Sequence, residues 1–221
     1  MKVSEAILSR RSMRAFKPDP VPEATVRRIL DVAKHAASNT NCQPWRVYVT
    51  MGAARHRVSN AIMAAIAAGE APSSDYHVHG EPIEPYRGRQ VTLGKALYGM
   101  LGIVKGDTAG TMRQALRNFL FFDAPVGMIV TMDRRHGEGQ WIDCGSLLAS
   151  IMLMAREEGL HTCPQAAFSN YHKVLRRELP IPDNEIVLFG IALGHADPQV
   201  VPNMLVPGRA AEEELVTWAR E

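Results

Sequence analysis

The stretch Trp141-Ile142-Asp143-Cys144-Gly145-Ser146-Leu147-Leu148-Ala149-Ser150-Ile151-Met152-Leu153-Met154-Ala155-Arg156-Glu157-Glu158-Gly159 carries the strongest secondary-structure signal in the chain. Cys144, Leu147, Leu148, Ile151, Met152 and Ala155 recur at helical spacing and form a wide apolar stripe, which predicts a helix over 141–158 with one buried face. Gly159 follows as its stop, the residue that best tolerates the left-handed conformation of a helix C-terminus. Upstream, residues 124–132 form a run rich in Val and Ile that suits a buried strand. Downstream come a short segment at 161–168, a polar helix near 171–179, and another strand candidate at 185–193 through Ile186, Val187, Leu188, Phe189 and Ile191. Helices and strands mix here without regular βαβ alternation. That pattern predicts an α+β fold, not a doubly wound sheet.

The N-terminal half adds to this picture. Val26, Ile29, Leu30 and Ala33 share one face of a helix over 23–37, with Arg27, Arg28, Asp31 and Lys34 opposite, and Pro22 sits where a first turn accepts proline. A polar loop, Ser38-Asn39-Thr40-Asn41-Cys42-Gln43-Pro44, leads into a β-rich run at 45–50 and a further helix over 53–68. From 69 to 117 the pattern loosens, with prolines at 72, 82 and 85 and glycines at 88, 94, 99, 102, 106 and 110. This region reads as an excursion from the core that contains a short helix or two. The tail, 210–220, reads as a charged helix, and no internal repeat is visible.

Composition excludes several classes. With 221 residues, 46% hydrophobic, the chain is expected to form a single globular domain. The balance of 25 Lys+Arg against 23 Asp+Glu gives a net charge of +2, which offers no general argument for nucleic-acid binding. The longest uncharged, mainly apolar run, 144–155, is far short of the roughly 20 residues that span a bilayer. The acidic Glu5 and the lack of an apolar stretch behind it argue against a secretory signal. Cys42, Cys144 and Cys163 form neither a disulfide framework nor a close-spaced metal pair, so the expected location is the reducing cytoplasm.

Three clusters could carry chemistry. Arg10-Arg11-Ser12-Met13-Arg14 places three guanidiniums and a hydroxyl within five residues, a set able to converge on a phosphate. Taken alone, such a run more often is a solvated basic turn. The 38–43 loop is dense in amides and hydroxyls that suit a heterocycle edge, although Asx-type turns would explain it equally simply. In Thr162-Cys163-Pro164-Gln165-Ala166-Ala167-Phe168, small residues after a proline would let backbone N–H groups approach a flat ligand, and a plain turn is the simpler alternative. Other signals fail. His77-Val78-His79 lacks metal-ligand spacing and reads as a surface loop, and no metal site is expected. There is no phosphate-binding glycine motif and no nucleophile elbow. Met152 and Met154 read as core, and Cys163, with no charged sequence neighbour, reads as structural.

In this order and spacing, the clusters resemble the FMN-dependent nitroreductase family. The resemblance rests on 10–16, the 37–45 loop, 159–165, Leu193-Gly194-His195-Ala196-Asp197-Pro198, Asn203 and Arg209, and is closest to the subgroup with a long middle insert. It implies a central, mainly antiparallel sheet flanked by helices, an intertwined homodimer, and FMN at the subunit interface. It further implies that Arg10, Arg11, Ser12, Arg14 and Arg209 hold the phosphate end of FMN. Ser38, Asn39, Asn41 and Gln43 would meet the ribityl chain or pyrimidine edge, and Pro164, Gln165 and Ala166 would lie against the ring near N5.

The implied activity is reduction of a small aromatic acceptor, a nitroaromatic or quinone, by NADH or NADPH through the flavin in a ping-pong cycle, with no essential catalytic side chain. Thr40, Tyr86, Arg89 and Tyr98 are the candidate substrate wall, the last three in the 70–118 insert. Reductive dehalogenation, ene reduction, flavin fragmentation, or flavin binding without efficient turnover would use the same residues. Two positions depart from the family pattern: no basic residue precedes Arg209 within 205–208, and Gly194-His195 stands where Gly-Tyr is common.

Overall fold

The Val- and Ile-rich run near residue 130 is buried because it is one of two central strands. In the computed structural model, which describes all residues except His79, Pro82 and Glu221, β1 (Trp45–Met51), β2 (Val126–Asp133), β3 (His161–Gln165) and β4 (Glu185–Gly194) form one sheet in the order β1-β2-β4-β3. Every pairing is antiparallel. The helices are α1 (Val3–Ser9), α2 (Glu23–Ala33), α3 (Gly52–Ala67), α4 (Tyr86–Met100), α5 (Thr108–Leu116), α6 (Gly139–Glu157), α7 (His172–Glu178) and α8 (Glu212–Leu215).

Because β2 and β4 are apolar on both faces, the sheet needs a helical layer on each side. On one face, Val26 and Ile29 of α2 and Leu147 and Ile151 of α6 pack with Met128, Val130 and Leu188. On the other, Val58 and Ile62 of α3 and Leu175 of α7 pack with Ile129, Val187 and Ala192. A register shift between Val130 and Thr131 leaves one extra residue in β4, since Val130 opposes Phe189 while Thr131 opposes Val187. This bulge resets which side chains face which layer. Ile186 and Leu188 before it, and Ile191 and Leu193 after it, therefore all serve the α2–α6 side.

The second layer also holds two stacked rings, Phe121 and Phe168, with centroids 4.5 Å apart. They lie on the sheet where it has no side chains. A Cβ built on Gly127 would meet Phe121 at 2.5 Å, and one on Gly190 would meet Phe168 at 2.3 Å. Phe121 and Phe122 adopt φ of 52°, a left-handed turn sustained by their burial.

β3 is an edge strand, and its open side is used by the N-terminal segment. Ser12 bridges Thr162 in parallel, and Met13 N–H donates to the Thr162 carbonyl at 3.0 Å. Phe16 then bridges Ala196, and Lys17 N–H donates to the His195 carbonyl at 2.8 Å. Residues 12–17 are thereby laced from β3 to the strand-end segment after β4.

The α+β expectation and the main elements agree with the structure, and several boundaries differ. The helix expected over 23–37 ends at Ala33, before the polar residues that form the loop. The 161–168 segment divides into strand β3 and a 3-10 turn, Ala166–Asn170. The excursion contains the 15-residue α4 and the 9-residue α5, more helix than its glycines suggest. The charged helix expected over 210–220 is only the single turn α8, because none of its residues is buried and a lone short helix lacks packing to hold it. α1 went unpredicted because only Ala6 is buried, leaving no apolar periodicity toward the core. His79, within the segment expected to be a surface loop, lies outside the described residues.

Gly190→Ala is expected to destabilise the fold by roughly 1–3 kcal/mol, because Phe168 must move from its stacked position. Gly94→Ala on α4, where an added Cβ meets nothing within 4 Å, is expected to stabilise by roughly 0.5–1 kcal/mol. Urea denaturation of both variants against the unsubstituted chain checks the pair.

Candidate active site

The basic segment begins where α1 ends. Arg10 N–H closes that helix on the Ala6 carbonyl at 3.0 Å, and the chain then extends along β3. Met13 turns into the core, 4% exposed, which fixes the alternation of its neighbours. Asn203 fastens the segment from the other side. Its Oδ1 accepts from Arg14 N–H at 2.7 Å, and its Nδ2 donates to the carbonyls of Ala15 and Asp197, each at 2.8 Å. Arg117 Nη2 donates to the Arg14 carbonyl at 3.4 Å, and Arg14 Nη1 to that of Ser12 at 3.3 Å.

Beside this segment lies a cavity of about 420 Å³, lined in part by Arg11, Lys17, His161, His195 and Asn203. Arg11, Met13 and Lys17 reach it at even spacing along extended chain. His161 is held far below its ordinary pKa of 6.5, at about 4, first by burial and then by Arg156, His195 and Arg11. Arg156 donates to the Leu160 carbonyl at 2.9 Å and to Ser9 Oγ at 3.3 Å. Among the described residues, no carboxylate forms an ion pair with Arg10, Arg11, Arg14, Lys17 or Arg156. Arg11, Lys17 and Arg156 thus stand around His161 and its cavity, none of them in an ion pair among the described residues. Such an arrangement attracts an anion with bidentate acceptors, such as a phosphate.

β3 carries the third cluster next to the first. Cys163 is buried and its thiol is pushed up to about 11, chiefly by desolvation, so it is not a thiolate nucleophile at neutral pH. The Gln165 side chain turns inward, 2% exposed, and donates to the Asn118 carbonyl at 2.6 Å. Only its backbone can therefore face a ligand, while Ala166 is exposed at the strand end.

The polar loop stands elsewhere. Ser38 Oγ accepts from Gln43 N–H at 3.1 Å, Cys42 N–H donates to the Asn39 carbonyl at 3.0 Å, and Gln43 Nε2 donates to the Asn41 carbonyl at 2.9 Å. Thr40, Asn41 and Gln43 all take positive φ, between 48° and 59°. This tight form is tied to α6 through Asn39 N–H, which donates to Asp143 Oδ1 at 3.0 Å. Asp143 lies in the first part of α6 and Arg156 near its end. At 1.5 Å per residue, the loop and the basic cluster are anchored about 20 Å apart along that helix.

The insert presents the remaining candidates. Tyr86 is exposed at the start of α4, and the Arg89 guanidinium stands 5.8 Å from its ring centroid while pairing with Glu214 at 2.8 Å. A second cavity, about 840 Å³, lies between α4 and the C-terminal segment and is lined by Arg89, Leu93, Val206 and Arg209 among others. Arg209 there donates to the Pro207 and Gly208 carbonyls at 3.1 and 3.0 Å. The structure thus brings Arg209 to Arg89, in a different cavity from Arg11. Tyr98 is on α4 but lines neither cavity.

Sequence reasoning missed Lys17, His161, Arg156 and Asp143 as members of these groups. Asp143 had a visible signal, since a lone acid beside the buried stripe of α6 requires a partner. The others become members only through folding. Among the described residues, no group of His, Cys, Asp and Glu could hold a metal ion, and no helix is long and apolar enough to cross a membrane.

Comparison with known proteins identifies the family and the fold. Residues 7–195 match the model of the nitroreductase family. The chain is 42% identical over 221 residues to a chloronitrobenzene nitroreductase of Comamonas testosteroni, covering 99% of this chain and 97% of that one. It superposes with a TM-score of 0.97 on the FMN and NADPH-dependent nitroreductase NfnB of Sphigopyxis sp. strain HMH, 35% identical and fully covered on both sides. The FMN-dependent NfnB of Mycobacterium smegmatis, solved in complex with NADPH, gives a TM-score of 0.93 at 32% identity, with 98% of this chain and 97% of that chain covered. The fold is the nitroreductase fold, and the chain belongs to the nitroreductase family.

The His161 environment predicts a pH effect on stability. The unfolded chain takes up a proton near pH 6.5 that the folded chain takes up only near pH 4, so stability falls as pH drops through that window. His161→Asn is expected to flatten this part of the profile, measured as urea midpoints at half-unit steps from pH 7 to pH 4.

Proposed function

We propose that the chain is an FMN-dependent NAD(P)H oxidoreductase that reduces nitroaromatic or quinone-like acceptors. The observation that carries this reading is the set of cations without ion pairs around His161, at the start of the strand that ends in the Pro164–Ala166 backbone. A flavin mononucleotide combines the two features such a place can satisfy, a phosphate and a flat ring. The relatives named above, reductases of nitroaromatics or proteins dependent on FMN and NADPH, support the same reading.

In this proposal, Arg10, Arg11 and Arg14 neutralise the phosphate, Ser12 donates its hydroxyl to it, and Lys17 and Arg156 add to the local positive potential. Pro164, Gln165 and Ala166 face the ring with backbone, consistent with the inward turn of the Gln165 side chain. When bound, FMN would supply hydride chemistry at N5 between NADH or NADPH and the aromatic acceptor, the ping-pong cycle of this proposal. The protein orients the ring and keeps the cleft open to two flat molecules in turn. No side chain is required as nucleophile, in keeping with the inert Cys163.

The 38–43 loop reaches the same cofactor from a second subunit. The separation of the two anchors along α6 supports a shared site. So does an uncovered apolar surface: Val3, Ile7 and Leu8 of α1 and Ile142 of α6 are all more than half exposed. Gly145 and Ala149 continue the exposed α6 face with small residues that permit close helix contact. Tyr86 and Arg89 then border the acceptor, with Arg89 held in place by Glu214.

Three measurements test the reading. The purified protein is expected to show oxidised-flavin absorbance, bleached anaerobically by NADH or NADPH and restored by a nitroaromatic; failure to retain or rebind FMN would falsify it. Arg11→Ala is expected to weaken FMN binding by about tenfold or more, the loss of a charge-assisted hydrogen bond, and an unchanged affinity would remove Arg11 from the phosphate site. Light scattering is expected to show a dimer, and a monomer that held flavin tightly would contradict the shared site.

A further inference from the structure

Asp143 is a buried acid that the reading above leaves unused. Its side chain is 5% exposed, in the first part of the 19-residue α6. One carboxyl oxygen, Oδ1, accepts from Asn39 N–H at 3.0 Å. The other, Oδ2, is buried without a hydrogen-bond partner. Asp143 also lines a cavity of about 460 Å³ together with Ser38, Asn39, Ile142 and Ser146. A buried polar oxygen is almost always satisfied in a native protein, because leaving it bare forfeits the bonds it made to water. The cavity that Asp143 lines is shared with Ser38 and Asn39 of the loop assigned above to the flavin.

We propose that Asp143 is the positioning residue of this loop, and that its Oδ2 accepts a hydrogen bond from a donor group of the bound flavin. The inference rests on the FMN reading. Its two halves follow from the two oxygens. Oδ1 fixes Asn39 and, with it, a loop in which Thr40, Asn41 and Gln43 hold positive φ that a free chain would abandon. Asp143 lines a cavity large enough for part of a ligand, and its unpartnered carboxylate oxygen is an acceptor, so the missing partner is an N–H or O–H donor. Flavin has such donors in its ribityl hydroxyls and in the N–H of its pyrimidine edge. A single carboxyl group thus sets the shape of the loop and reads the ligand the loop receives.

Asp143→Asn and Asp143→Ala separate these roles in the full-length protein. Asparagine keeps an acceptor for Asn39 N–H and places an amide NH₂ where the cofactor needs an oxygen; alanine removes both. The measurements are backbone hydrogen exchange over 38–43 in flavin-free protein and fluorescence titration with FMN. Asp143→Asn is expected to leave loop exchange and the flavin-free melting temperature unchanged while weakening FMN roughly tenfold. Asp143→Ala is expected to accelerate loop exchange and weaken FMN further. Unchanged FMN affinity in Asp143→Asn would overturn the cofactor contact. If that variant instead weakened dimer association alone, the donor would come from the second copy and the proposal would again fail. Loop exchange unchanged in Asp143→Ala would overturn the positioning role. An unsubstituted protein that did not bind FMN would reject the proposed function itself, a result separate from any difference among variants.

Discussion

The two-sided burial of the β2–β4 pair is the constraint on which the rest of the structure depends. A strand pair apolar on both faces cannot border water, so it requires α2 and α6 on one side and α3 and α7 on the other. The bulge in β4 makes the requirement satisfiable, because it lets Ile186, Leu188, Ile191 and Leu193 serve one layer despite their change of parity. Gly127 and Gly190 complete the other layer by leaving room for stacked rings. With both faces covered, only the sheet edges remain for other uses.

The edge of β3 is where fold becomes site. An unpaired edge needs hydrogen-bond partners, and residues 12–13 supply one side of it. The same pairing carries the arginines of the segment alongside β3 at Thr162. Arg11 and Arg156 repel a further positive charge between them, and His161 is kept neutral beside them. In the proposed function, the FMN phosphate would offset that repulsion. Asn203 resists the repulsion mechanically, with three hydrogen bonds that bind the segment to its neighbours.

Much of this was legible in the residue pattern. The α6 stripe, the buried run at β2, the amphipathic α2 and the strand at β1 follow from apolar periodicity, which reflects burial directly. β3 was not legible as a strand because five residues containing a proline give no period to count, and its identity comes from pairing with β4. α1 and the tail failed in opposite ways for one reason: neither buries a face in the chain, so apolar spacing and charge pattern carried no information about them. The α4 helix formed despite its glycines, and among the described residues its ties include the Arg89–Glu214 pair, a contact between residues 125 apart in sequence.

The sequence alone determined the α+β class, the chemical types available, and the ordered motifs that mark the nitroreductase family, because these depend on local periodicity and on short spacings along the chain. Only the tertiary structure decided which of the cations lack a counter-charge, that Arg209 keeps company with Arg89 and not with Arg11, and that Asp143 holds Asn39 across 104 residues of sequence. Those are properties of groups brought together by packing. Charge compensation and hydrogen-bond satisfaction are sums over neighbours in space, and a chain does not have those neighbours until the sheet and its two layers have closed around them.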